Sequence, residues 1–124
     1  MTAMLSSCGD QPNLAARLQA AGGADALKTE CLGFVSAYEA KAVKHFTWFK
    51  DKTDFPPTIA ALQPRAVQVG KQGDVILVHM SFVISPRPYG IYVAPRGCPS
   101  DFLPLRPLGS RVSKVADGVF VYED

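Results

Sequence analysis

Ten consecutive residues, VILVHMSFVI from Val75 to Ile84, alternate in a way that only an extended chain can use. At period two, Ile76, Val78, Met80, Phe82 and Ile84 share one face, and Val75, Leu77, His79, Ser81 and Val83 share the other. The first face is uniformly apolar and reads as core. The second is mixed and reads as partly covered. A strand with one fully apolar face belongs to a sheet that must be covered on that side, and the rest of the chain has to supply the cover.

The cover is upstream. Asp10 followed by Pro12 predicts a helix start, with Leu14, Ala15 and Leu18 as a short apolar face and Gly22-Gly23 as its stop. A longer helix is expected from about Asp25. Its stripe is Leu27, Cys31, Phe34, Val35, Tyr38, Ala42, Phe46 and Phe49, at three- and four-residue spacing. Asp25 and Glu30 near its start and Lys41, Lys44 and Lys50 near its end suit the helix dipole. The stretch HFTWF is rich in β formers, so the helix is expected to weaken after Lys41. Pro56-Pro57 and Pro64 bracket one or two further helical turns.

Downstream, Arg65–Gly70 reads as a strand, Lys71-Gln72-Gly73 as a turn, and residues 74–84 as its partner. A short strand is expected over Gly90–Ala94. RVSKV, the turn Ala116-Asp117-Gly118 and VFVYE form a closing hairpin. Helices followed by hairpin-linked strands predict an α+β fold: two or three N-terminal helices on one face of an antiparallel sheet of about four to five strands. Residues 10–124 are expected to form this single domain, preceded by a flexible segment over residues 1–9.

The 124 residues fit one domain of this kind and bury enough surface to fold without a metal or disulfide. A net charge of +2 gives no electrostatic footprint for nucleic acid, and no apolar run is long enough to span a bilayer. Cysteine and histidine spacing offers no zinc motif, and no cofactor is expected.

Within the opening segment, Leu5-Ser6-Ser7-Cys8 resembles a bacterial lipobox, a bulky aliphatic and two small residues before a cysteine. The resemblance implies that the Cys8 thiol receives a diacylglyceryl group, that the chain is cut just before it, and that the new amine is acylated. Only Met-Thr-Ala-Met precedes the motif here, without a basic segment and an apolar run. Two readings follow: an envelope lipoprotein whose signal is not in this sequence, or a chance match in a tail of a cytoplasmic protein. With Cys8 set aside, Cys31 and Cys98 are either a bridged pair or a buried core residue and a loop thiol.

No catalytic constellation stands out. There is no H-E-x-x-H, G-x-S-x-G or glycine-rich phosphate loop. His79 and Ser81 lie two apart on a strand, so their side chains run parallel and do not converge as a nucleophile and base must. His45, with Phe46, Thr47, Trp48 and Phe49, either cups a ligand ring or marks a helix end entering the core.

The distinctive region is the proline-rich connection. Pro86, Pro88, Pro95, Pro99, Pro104 and Pro107 cluster there, and Ser85–Val115 carries four arginines and one lysine against a single aspartate. Prolines stiffen a loop, and arginine forks suit carboxylates. Arg87, Tyr89, Arg96, Arg106 and Arg111 are therefore the expected anchors for an acidic protein partner. The leading expectation is a non-catalytic binding or inhibitor protein using these loops. The alternative is an enzyme or small-ligand carrier with a cleft between helices and sheet, near His79, His45 and Trp48.

Overall fold

The first of the described helices begins where a side chain closes its open end. Asn13 Oδ1 accepts a hydrogen bond from the Ala16 N–H at 3.0 Å, and α1 (Leu14–Ala21) follows. The computed structural model describes residues 13–83, 88–105 and 110–123, so the expected Asp10–Pro12 cap lies outside the described residues. Leu14 and Leu18 are buried, while Ala15 faces solvent. Gly22, at φ 145°, ends α1 in a conformation an L side chain rarely adopts.

The long helix α2 (Gly23–Lys41) buries Leu27, Cys31, Phe34, Val35 and Tyr38, the expected stripe as far as Tyr38. It then stops. Ala42 takes a left-handed turn (φ 53°), the Tyr38 hydroxyl donates to the Lys44 carbonyl at 2.7 Å, and His45–Phe49 becomes strand β1. Ala42, Phe46 and Phe49 are thus not helical. The β propensity of HFTWF, combined with pairing to the next strand, outweighs the helical spacing.

The short helix α3 (Pro57–Leu62) opens on Pro57 and has no cap of its own. Glu30 of α2 supplies one: its carboxylate accepts from the Thr58 N–H at 2.9 Å and from the Ile59 N–H at 3.0 Å. Two otherwise unpaired amides are satisfied across 28 residues of chain, and α2 is tied to α3.

The remaining strands are β2 (Ala66–Gln72), β3 (Val75–Val83), β4 (Tyr89–Val93), β5 (Arg111–Ala116) and β6 (Val119–Glu123). Together with β1 they form a six-stranded antiparallel sheet in the order β1-β2-β3-β4-β6-β5. The sheet has one strand more than the largest number expected, and that strand is β1. The first hairpin also turns later than expected, at Gly73-Asp74, so that Gln72 pairs with Val75 and Gly70 with Leu77.

The three described helices lie on one face of the sheet. There Val67, Val69, Val78, Met80, Phe82, Ile91, Val93, Val119 and Val121 meet the apolar stripes of α1, α2 and α3. The other face carries a second, smaller cluster of Val75, Leu77, Tyr92, Ala94, Phe120 and Tyr122. The proline-rich connection folds back over it. Phe102 meets Phe120 edge-on at 6.2 Å, and Gln72 clamps the strap, donating to the Leu103 carbonyl at 3.1 Å and accepting from the Leu105 N–H at 2.7 Å. Cys31 belongs to the helix-side core and Cys98 packs against the outer cluster; the sheet separates them, and both are free thiols.

Candidate functional site: a cleft on the outer face of the sheet

The strap leaves part of the outer face uncovered, and a cleft of about 600 Å³ opens there. Register explains its position. Gly70, a strand residue without a side chain, pairs with His45 of β1 on one side and Leu77 of β3 on the other. Gln68 and Gln72, two residues away along β2, project from the same face. A notch is therefore left over Gly70, walled by His45, Leu77, Gln68 and Gln72, floored further on by His79 and Tyr92, and overhung by Leu105. The volume falls within the usual range of small-molecule sites.

His79 is fixed by its neighbours on the outer face. Its ring stacks on Tyr92 (4.4 Å between centroids, 18° between planes), and its Nε2 shares a 2.7 Å hydrogen bond with the Tyr122 hydroxyl. Tyr122 reaches this position because Gly90, its partner in β4, has no side chain: a Cβ there would stand 2.6 Å from the hydroxyl. Burial pulls the His79 imidazole down to about 4, so it is neutral near pH 7. Burial pushes the Tyr92 and Tyr122 phenols up, and the neighbouring Tyr92 adds a smaller upward push on Tyr122.

Among the described residues no buried side-chain nitrogen or oxygen lacks a hydrogen-bond partner. His79 Nδ1 and the Tyr92 hydroxyl bond to no atom of the described residues, so both retain access to the cleft. Gln68 is likewise not engaged, whereas Gln72 is committed to the strap. The cleft thus offers an uncharged imidazole nitrogen, a phenol and a carboxamide around an apolar floor. No carboxylate is among its lining residues, and no group of metal-ligating side chains occurs among the described residues.

The residues singled out in the sequence are spread over the molecule. His45 and His79 meet at the cleft, on the face away from the helices rather than between helices and sheet. Trp48 is on the opposite face, edge-on to Phe34 at 5.0 Å and to Phe46 at 4.9 Å. Tyr89 stacks on Phe82 at 5.6 Å on the helix side. Arg96 makes a bidentate pair with Glu39 of α2, at 2.7 and 2.8 Å. Arg111 starts β5, exposed on the sheet edge opposite Glu123. Arg87, Arg106 and Cys8 lie outside the described residues. Gly70, Gln68 and Tyr122 were not anticipated as site residues; the signal for them was the mixed second face of β3, which required a register to become a place.

Compared with known proteins, the chain matches no family model, no curated protein and no solved structure.

Proposed function

We propose that the protein is a non-catalytic binding protein that holds a small molecule in the outer-face cleft. The setting of His79 carries this reading. A general base works best with a pKa near the working pH and an acid to orient it. His79 sits at about 4, and its neighbours are two tyrosines. A neutral ring fixed by stacking and one hydrogen bond is suited to presenting its second nitrogen to a ligand.

Protein-observed NMR with a set of small aromatic fragments tests the reading. Shifts clustered on Gly70, Leu77, His79 and Tyr92 are expected. Shifts confined to other surfaces, or none at all, overturn it.

A second reading, an acidic protein partner meeting the proline-rich connection, draws on one observation. Leu105 and Leu103, the two most exposed large hydrophobic residues described, lie on that connection, and Leu103 borders Arg111. Lipid attachment at Cys8, and with it an envelope location, is proposed on the LSSC motif alone. Incorporation of a tagged fatty acid that is lost in Cys8→Ser tests it.

A further inference from the structure

We infer that the cleft over Gly70 takes a small aromatic carboxylate, its ring laid on the Leu77–Tyr92 floor and its carboxylate at the mouth near Lys44. This rests on the binding reading above and adds the chemical class of the occupant.

Shape supplies the first half of the argument. The notch lies over Gly70, which contributes no side chain, and its lining includes Leu77 and the stacked His79–Tyr92 pair. A planar body uses such a lining fully, whereas a polyol would leave most of its hydroxyls unpaired. With Gln72 occupied by the strap, Gln68, His79 Nδ1 and the Tyr92 hydroxyl remain as polar partners inside, with the His45 ring on the wall.

Charge supplies the second half. Apart from the histidines, the basic side chains among the lining residues are Lys44 and Lys71, both exposed, and no acidic one accompanies them. Lys71 leaves β2 toward the helix side, where it acts on Glu39, so it contributes a field at the mouth rather than a contact. Glu39 does not cancel that field, because Arg96 already pairs with its carboxylate. Asp74, the carboxylate nearest along the chain, follows Gly73 in the hairpin turn and is exposed and not among the lining residues. An anion gains at this mouth and a cation loses.

Calorimetric titration of the protein with naphthoate and with naphthamide, which share a ring system and differ in charge, is the test. Naphthoate is expected to bind about tenfold more tightly than naphthamide at low salt, a preference that shrinks at high salt and in the double variant Lys44→Gln/Lys71→Gln. Gly70→Leu, which fills the notch, is expected to abolish both titrations. An added Cβ at Gly70 comes no closer than 3.4 Å to its nearest neighbour, the His45 Cβ, so the backbone there has room for a Cβ. Should Gly70→Leu not fold, movement of the His79 ring signals on adding naphthoate to the unmodified protein locates the site. Equal binding of both probes, lost in Gly70→Leu or moving the His79 ring, overturns the anion inference and leaves the cleft reading standing. No binding, or binding that neither involves Gly70 nor moves His79, overturns both.

Discussion

The Tyr122 phenol stands over Gly90 of the neighbouring strand, with room for a hydrogen and for nothing larger. A Cβ at Gly90 would lie 2.6 Å from the Tyr122 hydroxyl and 2.4 Å from the Met80 carbonyl. Gly90→Ala is therefore expected to destabilise by about 1–3 kcal/mol, as overpacking does. It should also displace Tyr122 from His79. Denaturant midpoints measure the first effect, and the His79 ring signals report the second.

The pH dependence of stability follows from the same pair. His79 is held at about 4 in the folded protein against an unfolded value near 6.5, so between these values the unfolded chain binds more protons. Stability from this residue is therefore fully present above about pH 6.5 and is lost as pH falls toward 4, by up to about 3 kcal/mol. The groups facing the ring are Tyr92, Tyr122 and Gln68, and none is a carboxylate that would reverse the sign. Comparing denaturation midpoints of wild type and His79→Gln across pH 4–7 isolates the effect: the wild type should show the steeper slope. Parallel slopes would show that His79 does not titrate with folding.

Removing the cap that α2 lends to α3 should be costly, because the link is partly buried. Glu30→Ala leaves the Thr58 and Ile59 amides without their acceptor, at a cost of about 1–2 kcal/mol. Glu30→Gln keeps one carbonyl oxygen and should lose less. Hydrogen exchange at Thr58 and Ile59 should accelerate in both, most in the alanine variant.

Phe34 is the hinge of an aromatic cluster, edge-on to Trp48 at 5.0 Å and to Phe55 at 6.1 Å. Phe34→Ala should cost roughly 3–5 kcal/mol. Its signature beyond lost stability is a change in the fluorescence of Trp48, the sole tryptophan. An unchanged denaturation midpoint would show that the stripe of α2 is not the core contact described here.

The faces of β3 were legible in the sequence because alternation is local: which side Ile76, Val78, Met80 and Phe82 share does not depend on any other strand. β1 was harder. Phe46 and Phe49 continue the spacing of α2 and also suit a strand, and no glycine or proline marks the break; an alanine at a left-handed φ does. The cleft was beyond reach for a related reason. With the turn at Lys71–Gly73, Gly70 would face Asp74; with the turn at Gly73-Asp74, it faces Leu77, and only then does an opening form beside His79. The Glu30 cap depends on contact between two helices distant in sequence, which no local pattern encodes.

The burial of Cys31 turns the protein into its own clock. The residue has no exposed surface, and burial, with the adjacent Glu30 carboxylate second, pushes its thiol well above the ordinary range. An alkylating reagent can reach that sulfur only when the helices lift from the sheet, whereas Cys98, on the partly exposed strap, reacts without any such event. When reclosing outpaces alkylation, the ratio of the two labelling rates, resolved by peptide mass, reads the population of open molecules in native buffer. A ligand seated over Gly70 should slow labelling at Cys31 in proportion to its occupancy, although the cleft and this thiol lie on opposite sides of the sheet.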